Sequence, residues 1–127
     1  MDTTALSTED RISKAAQETF LKYGFHGTKL QQIAESAKVN KSVIHYYYRS
    51  KNKLYQIVVY QFIESLRTKK HKSHYEESSL RKEKWFLTTE LYNNKTLLTQ
   101  ALEEYYGKAW KTQLCKAMET LDIQQVL

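Results

Sequence analysis

The sequence predicts an all-α protein, and three observations carry that prediction. Proline is absent and glycine occurs only 3 times in 127 residues, so few positions interrupt a helical run. Leu, Ala, Lys, Glu and Gln outnumber the β-branched residues that favour sheet. Apolar residues recur at steps of three and four behind Ser, Thr and Asn, the residues whose side-chain oxygens cap helix starts. The length suits one compact domain or two small helical lobes. The expected division falls after residue 50, with one unit at 7–50 and a second at 51–127.

The first helix opens at Ser7 or Thr8, with Asp10 as a capping-box partner. Ile12, Ala15, Ala16, Thr19, Phe20 and Tyr23 fall on one of its faces. Gly24 follows where a left-handed C-terminal cap is wanted, and Phe25-His26-Gly27 is a short link. Thr28 then reads as the cap of a brief second helix, with Gln31 completing a second box and Leu30, Ile33, Ala34 and Ala37 facing inward. Ala37-Lys38-Val39 is a tight turn, and Asn40 caps a third helix through about Tyr48. Two short helices joined by such a turn form a helix-turn-helix.

Arg49-Ser50 breaks the run, and a longer fourth helix carries Leu54, Ile57, Val58, Phe62 and Leu66 inward. Residues 67–79 are polar and read as a fraying end or a hinge, the run Lys69-Lys70-His71-Lys72 being a solvated face. Two further helices are predicted, Leu80 to about Tyr92 and Thr96 through Tyr106, separated by Asn93-Asn94. Gly107 is a weak breaker, and Lys108 to Asp122 has helical spacing through Trp110, Leu114, Met118 and Leu121. A lobe this small covers apolar side chains such as Trp85, Leu91 and Trp110 poorly, so it is expected to self-associate rather than enclose a ligand cavity.

The formal net charge is +6 and the pI is near 9.3, which fits a polyanionic partner. Residues 28–53 hold Lys29, Lys38, Lys41, Arg49, Lys51 and Lys53 against the single acid Glu35, an excess of +5 in about a fifth of the chain. Three lysines follow capping residues directly, at Thr28-Lys29, Asn40-Lys41 and Ser50-Lys51. A helix start carries partial positive charge and disfavours lysine, so an outside anion is expected to complete these sites. A nucleic acid backbone meets all three at once.

Other functional classes find little support. No catalytic set of titratable residues emerges, so the chain is not expected to be an enzyme, and no cofactor is implied. His26, His71 and His74 lack a metal-ligand spacing. Cys115, the only cysteine, reads as a small core residue in a reducing interior. Tyr105, Tyr106 and Trp110 read as helix-packing aromatics. MDTTALSTED lacks the features of a signal peptide, and no apolar stretch approaches spanning length, so a cytoplasmic protein is expected.

The segments Gly24-Phe25-His26-Gly27-Thr28-Lys29-Leu30, Ile33-Ala34 and Val39 to Leu54 resemble the TetR family of bacterial transcriptional repressors, in a match running from about Arg11 to Leu66. The resemblance implies a three-helix DNA-binding domain with helix-turn-helix, linked by the long fourth helix to a small helical C-terminal lobe that reads as cut short. It makes the third helix the one that enters the major groove, with Asn40 at its cap. Lys41, Ser42 and Val43 would meet base edges or nearby backbone, and Tyr46 thymine methyls or sugars. Thr28, His45, Tyr47 and Lys51 would hold phosphates, and Lys29 would touch a base. The implied partner is double-stranded operator DNA, bound as a homodimer, with an inducer unknown. The alternative is a helical adaptor whose helix-turn-helix is structural only.

His45 and Val43 depart from the family, which prefers tyrosine and a hydroxyl residue there. Lys38 stands where glycine is frequent, so a left-handed backbone there implies strain. Of the three consecutive tyrosines, Tyr48 is expected in the core, Tyr46 outside it, and Tyr47 in either place.

Overall fold

The computed structural model describes residues 6–68 and 74–119. They form α1 (Thr8–Gly27), α2 (Leu30–Ala37), α3 (Lys41–Tyr48), α4 (Lys51–Thr68), α5 (His74–Asn93), α6 (Lys95–Tyr106), a 3-10 turn (Gly107–Ala109) and α7 (Trp110–Met118). Among the described residues there is no strand. Two compact units divide between Val58 and Val59. That boundary lies eight residues beyond the expected one at 50, because the start of α4 packs into the first unit: Tyr55 meets the rings of Phe20 and Phe25 edge-on at 5.5 and 4.9 Å.

In the first unit, Ser7 caps α1 by accepting the Asp10 N–H at 3.0 Å. The helix buries Ile12, Ala15, Ala16, Thr19 and Phe20. Tyr23, expected on that face, is exposed, since Gly24 (φ 72°, ψ 179°) turns the chain immediately after it. Only glycine takes such a conformation without steric cost. Phe25 is not a mere link: it lies in the ring cluster just described. Ile33, Ala34 and Ala37 of α2 and Ile44 and Tyr48 of α3 complete the core, while Leu30 is half-buried. Each fully buried Ile or Phe contributes roughly 1.5–3 kcal/mol, so this small set holds the three short helices together.

The start of α2 differs from the expectation. Thr28 is buried, and its hydroxyl donates to the carbonyls of Gly24 (2.7 Å) and Thr19 (3.3 Å) instead of capping α2. Lys29 takes the cap position, and Gln32, not Gln31, accepts its N–H at 2.7 Å. Lysine has no acceptor to return, so only half of a capping box forms.

The second unit, from Val59 onward, buries Val59, Phe62, Ile63 and Leu66 of α4. Tyr55, Val59 and Ile63 widen the expected inward stripe, and Ile57 is only half-buried. Phe62 meets Phe86 of α5 edge-on at 5.4 Å. Tyr60 stacks on Tyr105 at 4.5 Å, and the Tyr106 hydroxyl donates to Glu64, which also pairs with Arg67 at 2.7 Å. Leu80, Phe86, Leu87, Leu98 and Leu102 are buried, whereas Trp85 and Tyr92 of α5 are 66% and 89% exposed.

Helix α6 begins at Lys95, one residue before the expected Thr96, with Asn94 at its cap position, and α5 begins earlier than expected, at His74. Gly107 (φ 59°) ends α6 and starts the 3-10 turn, a stronger break than a lone glycine implies. Cys115 is exposed, not in the core, because its position on α7 faces away from buried Ala117. Lys69 to Lys72, Leu121 and Asp122 lie outside the described residues.

Candidate nucleic-acid interface

Helix α3 is short, and its ends are fixed by two unusual backbone positions. Lys38 sits at φ 62°, ψ 47°, the left-handed conformation that ends α2. A side chain there costs about 1–2 kcal/mol. Arg49 sits at φ 74°, ψ −49°, and the Ser50 N–H reaches the Tyr48 carbonyl at 2.8 Å, closing a strained three-residue turn. Non-glycine residues at both corners mark the segment between them as held in place by its surroundings.

Its anchor is on the inner face. Ile44 is fully buried, and the Tyr48 hydroxyl donates to the Glu9 carbonyl at 3.0 Å across 39 residues of chain. Burial, with the charges of Glu9 and Asp10 beside it, pushes the Tyr48 phenol up to about 12. The outer face is left open: Tyr46 is 76% exposed and Tyr47 39% exposed. Tyr46 packs edge-on against Tyr47 at 5.0 Å, which stiffens both. Ser42 and Lys41 are exposed and Val43 is half-buried. The open position of Tyr47 is thus resolved toward the surface.

The start of α3 is electrostatically incomplete. Asn40 is the cap residue, yet its side chain makes no cap hydrogen bond and the first turn holds no acid. Helix α4 is capped conventionally, by the Ser50 hydroxyl accepting the Lys53 N–H at 3.1 Å, and Lys51 is its first residue. The Lys51 ammonium stands 4.2 Å from the Phe25 ring centre, and burial pushes it below the ordinary lysine value. His45 is exposed, with Nδ1 3.1 Å from the Arg49 carbonyl. A carbonyl only accepts, so Nδ1 carries the proton, and Nε2 has an N–H to give only in the imidazolium.

The residues predicted from sequence do not all meet. Asn40, Ser42, Val43, Tyr46 and Tyr47 line one open hollow beside α3, together with Lys38 and with Thr8 and Arg11 of α1. Lys29, Lys41, His45 and Lys51 lie outside it. Thr28 is withdrawn from the set, because its hydroxyl proton is spent on α1 carbonyls. Two contributors were not foreseen. Phe25 orients Lys51, and its signal was an aromatic directly after the turn glycine. Arg11 lies on the polar side of the first helix, where nothing in the pattern separates it from Lys14 or Lys22. Among the described residues no group of acids, histidines and cysteine is arranged for a metal, and no helix is long and apolar enough to cross a membrane.

Residues 12–58 match the family described as bacterial regulatory proteins, tetR family. The chain is 49% identical over 53 residues to the HTH-type transcriptional regulator RutR of Escherichia coli, a stretch covering 42% of this chain and 25% of that protein. It is 48% identical over 48 residues to the HTH-type transcriptional repressor NicS of Pseudomonas putida, covering 38% and 23%. The matched segment thus spans about a quarter of these curated relatives. A crystal structure of an HlyIIR mutant protein superposes with a TM-score of 0.60 at 23% identity, covering 94% of this chain and 73% of that one. The Streptomyces coelicolor protein SCO4942 gives a TM-score of 0.51 at 24% identity, covering 94% and 66%. These two likenesses establish the fold alone. The helix-turn-helix between Leu30 and Tyr48 thus lies wholly inside the segment, residues 12–58, that matches the tetR family of bacterial regulatory proteins.

Proposed function

We propose that this chain is a sequence-specific DNA-binding transcriptional regulator, a repressor that occupies its operator as a homodimer and acts by occupancy rather than catalysis. The observation that carries the proposal is the two-sided character of α3. Ile44 and Tyr48 lock one face into the core while Ser42, Tyr46 and Tyr47 stand forward. A helix gripped from behind, with short and aromatic side chains in front, suits insertion into the major groove. In that setting Lys41, Ser42 and Val43 meet base edges or the adjoining backbone, Tyr46 meets thymine methyls or sugars, and Lys29 meets a base. His45, Tyr47 and Lys51 hold phosphates, and a phosphate also suits the uncapped first turn of α3 headed by Asn40.

One such domain spans a half-site, so a two-fold pair with recognition helices about 34–36 Å apart, or a multiple of that, is required. Exposed Trp85 and Tyr92 on α5 support self-association through the second unit. The names of NicS, a repressor, and RutR, a regulator, support the regulatory role. A regulator of this kind works in the cytoplasm, where bacterial DNA lies. The test is selection of bound duplexes from a randomised pool with the whole chain, alongside analytical ultracentrifugation at micromolar concentration. Enrichment of a two-fold symmetric motif and a sedimenting dimer are expected. Retention of the pool without enrichment would leave the adaptor alternative standing.

A further inference from the structure

Successive residues of a helix are turned by about 100°, so the order of side chains around α3 follows from the sequence. Starting at Lys41, it runs Lys41, His45, Ser42, Tyr46, Val43, Tyr47, and then the buried Ile44 and Tyr48. Ser42 and Tyr46 form the crest. One flank carries Lys41 and His45, and the other carries Val43 and Tyr47, which bring no positive charge. A major groove about 12 Å wide is filled by a helix, and a ridge of phosphates runs along both of its sides. The uncharged flank of α3 therefore faces a row of anions with no cation of its own.

The hollow beside that flank brings in the missing charge. Val43 and Tyr47 line it together with Arg11 of α1 and Lys38 of the turn. Arg11 is exposed, and its planar guanidinium offers paired N–H donors that match phosphate oxygens. Glu35 is the one acid in the lining, and its carboxylate takes the Gln31 amide at 3.2 Å. A phosphate in the hollow is repelled from Glu35 and drawn to Arg11. Resting on the reading of α3 as a groove-seated helix, we infer that Arg11 is a phosphate-binding residue, clamping the backbone strand opposite the one met by Lys41 and His45. The DNA interface thereby extends onto α1, and the hollow is the seat of that strand.

The test uses the whole chain and a mixed-sequence duplex of about three helical turns, titrated by fluorescence anisotropy across a salt series. Arg11→Ala is expected to weaken binding severalfold on every sequence and to lower the slope of log affinity against log salt by about 0.9, one phosphate contact. Arg11→Lys should keep most of that slope, and Lys14→Ala, an exposed cation of α1 outside the hollow, should leave it unchanged. If the parent chain binds with a salt slope that Arg11→Ala preserves, the Arg11 contact is refuted while the DNA-binding proposal stands. An equal drop for Lys14→Ala would reduce the effect to net charge and refute the contact likewise. A parent chain with no salt-dependent binding would overturn both.

Discussion

The ammonium of Lys51 and the ring of Phe25 meet at 4.2 Å, joining the first residue of α4 to the turn that ends α1. The ring face holds the cation by charge–quadrupole attraction and restricts a side chain that otherwise samples many rotamers. The proposed phosphate contact of Lys51 is therefore pre-arranged by an aromatic that touches no DNA. Lys51→Ala is expected to weaken binding to all duplexes about equally and to lower the salt slope by about 0.9. Phe25→Leu, which leaves the charge, should reduce affinity with little change in slope. Anisotropy titrations over a salt series check both, and a Lys51→Ala slope equal to the parent's would exclude the phosphate role.

Lys41 and Tyr46 stand on the exposed side of α3, where base edges are expected. Replacing either by alanine should change which sequence is preferred, with a loss of about 1–3 kcal/mol at the matching base pair. Selection from a randomised duplex pool compares the preferences directly. Unaltered motifs in both variants would remove α3 from the groove.

Thr28 supplies a contrast. Its buried hydroxyl donates to Gly24 and Thr19 carbonyls, so Thr28→Val is expected to lose about 1 kcal/mol of stability while leaving the DNA salt slope intact. Urea denaturation measures the first and the salt series the second. A lowered slope with undiminished stability would return Thr28 to the phosphate contacts.

The Tyr48 phenol has a pH signature. Below pH 10.0, the ordinary tyrosine value, folded and unfolded chains both keep the proton and its full contribution stands. Between there and about 12 the unfolded chain gives up the proton while the folded chain retains it, so stability falls as pH rises. Tyr48→Phe should show a smaller alkaline fall, together with a loss of about 1 kcal/mol at neutral pH from the hydrogen bond to Glu9. Denaturant midpoints from pH 8 upward test both, and parallel curves for parent and variant would count against the assignment.

Lys38 holds a left-handed backbone at a strained corner. Lys38→Gly relieves that strain but adds freedom to the unfolded chain, for a net gain of roughly 0.5–1 kcal/mol. A raised urea midpoint with unchanged m-value is the expected result. A lowered midpoint would show that the lysine stem packs more favourably than its backbone conformation costs.

The helix-turn-helix was legible in the sequence because several independent signals agreed. Ile33, Ala34, Ala37 and Ile44 fell at helical spacing, and Asn40 and Ser50 stood at the boundaries the structure has, whereas Gly24, expected at the end of the first helix, marks a kink inside α1. Thr28 was misread for a physical reason. A threonine hydroxyl serves equally as acceptor for its own helix and as donor to a preceding one, and only the packing of α1 against α2 decides between them. Tyr55 was missed because a tyrosine suits a core or a surface position equally, and the ring cluster that decides between them forms only in the fold. Arg11 enters the site through tertiary placement alone, which no local pattern encodes. In the second unit, the break at Gly107 depends on a positive-φ backbone, which a lone glycine permits but does not by itself require.

Lys38 and Arg49, the two positive-φ corners, make residues 39–48 a cassette. Backbone direction is set at both ends, and the segment is riveted from behind by Ile44 and Tyr48. The exposed side chains at 42, 46 and 47 are therefore only weakly coupled to folding. A library randomised at those three positions should stay folded in most of its members while its operator preferences scatter. On the proposed reading of α3, such an architecture would let one scaffold drift among operators by point substitution, without first surrendering stability.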